Sequence, residues 1–143
     1  MSYEEKGVWV YLVVSAGVYI AYVAVIIGQA AGGPLADVAY VVPFLVSLGV
    51  SIVAAIIGRI VVEIAKPSDD YSSDARDRQI NRFGEARASW FVIGGSLLAL
   101  ALTMLEQPYF WIANAIYLGF VLSAVVGSII KLVAYRRGID PSW

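Results

Sequence analysis

Residues 47–63, SLGVSIVAAIIGRIVVE, decide how the chain folds. Steps of four from Ser47 meet Ser51, Ala55, Arg59 and Glu63. Residues four apart lie on one face of a helix, so this run puts a stripe of small residues on one side and closes it with charge. A second run is built alike: Ala115, Gly119, Ser123, Gly127 and Lys131. Helices in lipid pack where small side chains let backbones approach. The two stripes are therefore expected to form one seam between the second and fourth spans. A shift of 72 residues lays Ser47, Ser51, Ala55 and Arg59 on Gly119, Ser123, Gly127 and Lys131, a weak parallel repeat that the first and third spans do not share.

The solvent around those helices follows from composition. The chain has 143 residues, 60% of them hydrophobic, and a mean hydropathy of +0.78; a water-soluble domain is nearer half apolar. About 20 apolar residues span a bilayer. Runs of that kind occupy roughly 8–27, 38–65, 89–105 and 110–135. Residues 1–143 are thus expected to form one all-α membrane domain: a four-helix bundle of two in–out–in hairpins. The first run is too long for a signal peptide's apolar core and reads as a retained span.

Charge sets the expected orientation. The net charge is −1, with 10 Lys and Arg. They lie at Lys6, around the middle segment from Arg59 to Arg87, and at Lys131, Arg136 and Arg137, while 28–37 and 105–109 carry none. The positive-inside rule places both chain ends and the 67–88 loop in the cytoplasm. Trp9 and Tyr11, Trp90 and Phe91, and Tyr109, Phe110 and Trp111 suit the interfaces.

Breaks are legible too. Gly32-Gly33-Pro34 ends the first span, and Lys66-Pro67 the second. Pro43 implies a kink or a helix start nearby. Glu106-Gln107-Pro108 makes a tight outer turn. Ser72 or Ser73 can cap a short cytoplasmic helix that Gly84 ends. Asp74 sits in its first turn and is positioned to pair with Arg78, while Ile80 and Phe83 form a small apolar face. That face could rest on the membrane, on the bundle's cytoplasmic end or on a partner. Gly94-Gly95-Ser96 is the small patch of the third span. Hydroxyls of Tyr11, Ser15, Tyr19 and Tyr22, and the amide of Asn114, are expected to bond neighbouring helices. Residues 139–143 form a short tail.

Enzyme chemistry finds no constellation. There is no Cys and no His, which removes thiolate, haem-histidine and usual zinc sites. No acid lies in the middle of a span, and phosphate and dinucleotide loops are missing. No catalytic residue, cofactor or metal ligand is assigned. Basic residues of the middle loop alternate with acids, which argues against direct nucleic-acid binding. Arg59 and Glu63, one turn apart, are expected to pair with Lys131 nearby, as a charge cluster at the inner mouth or a contact to lipid headgroups.

The run Asp74-Ala-Arg-Asp77-Arg-Gln-Ile80 with Gly84, between two apolar hairpins, resembles the D-E-R-D-x-x-I loop of a family of small four-helix membrane proteins of actinobacteria and other Gram-positive bacteria. Gly58-Arg59 and Trp111-Ile-Ala-Asn114-Ala-Ile-Tyr-Leu-Gly119 also look like that family, and Ala75 departs from its usual Glu. The resemblance implies a domain of unknown function, and, by analogy with members encoded beside a helix-turn-helix regulator, a sensor or regulator-tethering role. The first expectation is a non-enzymatic interaction protein of the bacterial inner membrane, a homo-oligomer, whose loop residues Asp74, Arg76, Asp77, Arg78, Ile80, Arg82 and Phe83 meet a cytoplasmic partner. A small oligomeric channel or transporter, and an accessory subunit of a larger membrane complex, are the alternatives.

Overall fold

The computed structural model describes residues 1–139 and 142; most of the tail expected at 139–143 lies outside the described residues. Four helices make an all-α bundle: α1 (Tyr3–Ala30), α2 (Val41–Ala65), α3 (Ala75–Met104) and α4 (Tyr109–Arg137), with one 3₁₀ turn at Leu35–Asp37. Each helix is long and apolar enough to cross a membrane. At 1.5 Å per residue they run roughly 37–45 Å, so each is longer than the ~30 Å of hydrocarbon in a bilayer is thick.

Local chemistry fixes the ends. Ser2 caps α1 by accepting the Glu5 N–H, and Glu4 and Glu5 complement the positive pole of the helix. Ala31 and Gly32 then turn the chain with φ of 49° and 82°. Pro43 stands in the first turn of α2, where the missing N–H has no helical acceptor to lose. Lys66, before Pro67, closes α2. Glu106, at φ 54°, makes the turn into α4.

The packing order differs from the expected seam. α1 packs against both α2 and α4, and α3 packs on α4 in the largest interface; α2 and α3 share no extensive contact. The small stripe of α4 is spent on α3. A Cβ built on Gly95 would lie 2.9 Å from Gly119 Cα and 3.0 Å from the Ala115 carbonyl oxygen, and one on Gly127 would lie 2.8 Å from Ala88 Cβ. Gly94 takes no part, for a Cβ there meets open space. On α2, Ser51 bonds back to the Ser47 carbonyl at 2.8 Å, and Ser47 reaches α4 through Tyr117, 2.9 Å away. The Ser47 proton goes to the Phe44 carbonyl at 2.7 Å. A hydroxyl has one proton to give, so Tyr117 is the donor to Ser47.

A second difference lies in α3. The expected short helix and the third span are one helix, unbroken through Gly84. The cap is Asp74 rather than Ser72 or Ser73, in a reciprocal capping box with Asp77. Gly84 does not end the helix because Glu85-Ala-Arg-Ala88 after it are good helix formers. Its missing side chain serves packing: a Cβ there would lie 2.5 Å from Lys131 Cγ.

The buried centre is aromatic. Tyr22, Ile26, Val38, Phe110 and Tyr117 form it. Tyr117 lies 5.0 Å from the Tyr22 ring, 5.3 Å from Tyr19 and 4.7 Å from Phe44. As expected of Asn114, it bonds another helix, accepting the Tyr22 hydroxyl at 2.7 Å.

Candidate functional site

Charge gathers at one end of the bundle. Tyr3 meets Tyr71 edge to face at 5.3 Å, Arg76 donates to the Tyr135 carbonyl at 2.9 Å, and the Arg136 guanidinium stands 5.9 Å over the Trp9 ring. The start of α1, the end of α4, the 66–74 connector and the first turn of α3 therefore share this ionic end.

Three arrangements organise it. Lys6, 4% exposed, donates to Glu63 Oε2 at 3.4 Å, to Ser68 Oγ at 2.7 Å and to the Lys66 carbonyl. Glu63 in turn accepts the Ser68 N–H and the Ser68 hydroxyl at 3.1 Å. The start of α1 is so tied to the end of α2. The expected Arg59–Glu63 pair is not made: Glu63 is spent on Lys6 and Ser68, and Arg59 turns to α1. Just beyond, the N–H and hydroxyl of Ser72 bond Asp70 at 2.8 and 2.7 Å and hold its carboxyl below the usual range.

The second arrangement pins α3 on α4. Asp77 is buried; it accepts the Tyr135 hydroxyl at 2.7 Å and the Asp74 N–H at 3.2 Å. Ile80, 1% exposed, follows on the same side, then Gly84 and Ala88. Among the loop residues proposed to meet a partner, Asp77 and Ile80 thus face inward, because the apolar face of this helix rests on its own bundle. Asp74, Arg76, Arg78 and Arg82 stay exposed and Phe83 is half-buried. Arg78 donates to the Ser73 carbonyl at 2.7 Å instead of pairing with Asp74, whose carboxylate is taken by its own helix cap. Arg87 lies 5.2 Å over the Phe83 ring.

The third arrangement is a cavity of about 250 Å³ to which all four helices contribute, with Glu4, Gly7 and Tyr11, Ala55 and Arg59, Asn81, and Ser128 and Lys131 in its wall. The two cations of the shifted repeat meet here. Each is laid across a neighbouring helix where a glycine leaves room. A Cβ on Gly7 would lie 2.5 Å from Arg59 Nη1, as one on Gly84 would collide with Lys131. Arg59 stacks 4.1 Å over the Tyr3 ring and stands 3.9 Å from Glu4; Lys131 reaches Glu85 at 3.4 Å. Ser123 lines the larger groove beside the cavity. Among the described residues, the Arg59 Nε–H and the Trp9 indole N–H are buried without a hydrogen-bond acceptor.

Sequence reasoning missed Lys6, Ser68, Tyr135 and the two glycine slots. One signal was available for α3: Asp77, Ile80, Gly84 and Ala88 follow one another at three, four and four, an inward stripe that crosses the expected break at Gly84. Comparison with known protein families, with curated proteins and with solved structures finds no match to this chain.

Proposed function

We propose that the chain is a non-enzymatic integral protein of a bacterial inner (plasma) membrane, with both ends cytoplasmic, that offers the first turns of α3 to a cytoplasmic partner. One observation carries this reading: α3 runs without a break from its capping box into the apolar span, and Asp77 and Ile80 dock its first turns on the bundle. Such a helix end is held rigidly, so a partner need not order it on binding. Arg78 and Arg82, one turn apart and both exposed, give the free side a positive stripe suited to an acidic surface. The orientation follows the distribution of Lys and Arg. The regulator-tethering role implied by the resemblance of the 74–84 run belongs to the same reading. A solute path through one copy has less support, since the rings of Tyr19, Tyr22, Phe44 and Tyr117 fill the space between α1, α2 and α4.

The test is site-specific photocrosslinking in cells. Photoreactive residues at Arg82 and Ala86, on the free side of α3, are expected to capture one product of defined mass. The same group at Leu97, on the exposed apolar part of α3, is expected not to. Capture of nothing at Arg82 and Ala86, or of identical products from Leu97, rejects the reading.

A further inference from the structure

We propose that the cavity between Arg59 and Lys131 is a binding site for a phospholipid, holding the headgroup phosphate between the two cations and an acyl chain in the groove beside it. Depth is the first argument. Arg59 lies about 27 Å along its helix from Val41, and Lys131 about 33 Å from Tyr109. A hydrocarbon layer is roughly 30 Å thick, so when the opposite ends of α2 and α4 sit at one interface, both cations reach the headgroup level of the other.

Unmet donor capacity is the second argument. The Arg59 Nε–H is buried with no acceptor. Its acid, Glu4, stands at 3.9 Å, too far for a hydrogen bond. The acid beside Lys131, Glu85, is 71% exposed, which makes that pair a weak one. A phosphodiester offers one negative charge and several acceptor oxygens, enough to take the Arg59 fork and the Lys131 ammonium together. Basic pockets between membrane helices hold lipid headgroups in this way. Asn81 adds an amide to the same wall.

Shape is the third. The cavity shares Tyr11, Ser128 and Lys131 with a groove of about 490 Å³ that continues along α3 and α4 past Ala88, Val92 and Phe120. That groove lies between Tyr11 of α1 and the helices α3 and α4, and α1 and α3 share no extensive contact that would close it. A cationic head that runs into a groove walled mainly by Ala88, Val92, Ile93, Phe120 and Ala124, with Ser89 and Ser123 among them, suits a lipid better than a free anion. The site rests on the helices lying in a bilayer, and not on α3 having a protein partner.

The purified full chain in detergent, with no other protein present, tests it by native mass spectrometry and thermal melting. Phosphatidylglycerol is expected to stay bound at one molecule per chain and to raise the melting temperature. Arg59→Gln and Lys131→Gln are each expected to weaken retention about tenfold, the effect of one lost charge-assisted hydrogen bond. Lys131→Arg should retain the lipid. Equal retention by the wild type and both Gln variants overturns the site. So does equal stabilisation by inorganic phosphate, which would make the ligand a free anion. Where a variant does not fold, wild-type chain and a phospholipid with a photoreactive acyl chain decide. Label on Ala88, Val92 or Phe120 supports the site, and label confined to the outer face of α2 overturns it. Because no partner is present, failure here leaves the reading of α3 standing, and failure of the cellular crosslink leaves this one.

Discussion

Tyr135 donates its phenolic hydroxyl to Asp77 at 2.7 Å, although the two stand 58 residues apart. The same carboxylate accepts the Asp74 N–H and so belongs to the cap of α3. One buried side chain therefore completes the capping box of a helix and docks it. Asp77→Ala keeps the Asp74 cap but removes the reciprocal bond that the Asp74 N–H makes to Asp77, worth about 1 kcal/mol, and leaves the Tyr135 hydroxyl without its acceptor, at about 1–3 kcal/mol. The expected loss is roughly 2–4 kcal/mol in reversible unfolding in mixed micelles. Tyr135→Phe is expected to lose less, and the double variant less than the sum, as residues sharing one bond do. Additive effects would show that the two do not cooperate.

The neighbouring glycines of α3 separate packing from mere smallness. Gly95→Ala would drive a methyl group to 2.9 Å from Gly119 Cα, backbone that cannot swing aside. We expect a loss of about 1–3 kcal/mol from overpacking. Gly94→Ala meets open space and is expected to be neutral or stabilising by up to about 1 kcal/mol, since alanine is the better helix former. Thermal unfolding of the two variants side by side reads the difference. Equal behaviour would contradict the α3–α4 seam.

These glycines also show what could be read in the sequence. Four apolar spans, the breaks at Gly32-Gly33-Pro34 and Lys66-Pro67, and the turn at Glu106-Gln107-Pro108 were legible, because hydropathy and proline act locally, but the single long α3 was not. Partner choice was not. The stripe from Ala115 to Gly127 announces close packing but carries no mark of whether α2 or α3 receives it. The charges were misread for the same reason. Arg59 and Glu63 share a face of α2, yet each found a better partner on another element, Glu4 with Tyr3 in one case and Lys6 with Ser68 in the other. Gly84 looked like a helix end because the slot it provides for Lys131 is a tertiary fact.

Lys6 joins the first turn of α1 to the end of α2 through Glu63, Ser68 and the Lys66 carbonyl. Lys6→Met would leave Glu63 with Ser68 and Tyr71 but without its cation. We expect a clear loss of stability, because the Lys66 carbonyl and the Ser68 hydroxyl lose the Lys6 donor as Glu63 loses its cation. Limited proteolysis should speed up within 67–73 first, since that connector is held by Ser68. Unchanged cleavage there would mean that the lysine does not hold the connector.

The ionic end is proposed to face the cytoplasm, and the absence of cysteine from the sequence gives a clean way to check. Ser72 lies in the connector of the ionic end and Gln107 in the turn at the other, and both are exposed. Single variants Ser72→Cys and Gln107→Cys add one thiol each to an otherwise thiol-free chain. A membrane-impermeant maleimide applied to intact spheroplasts is expected to label Gln107→Cys at once, and Ser72→Cys only after lysis. The physical cause is the cluster of Arg76, Arg78, Arg82, Arg136 and Arg137 at the ionic end, whose transfer across the bilayer during insertion is opposed. Labelling of Ser72→Cys in intact spheroplasts, with Gln107→Cys protected, would invert the orientation and place the free side of α3 away from any cytoplasmic partner.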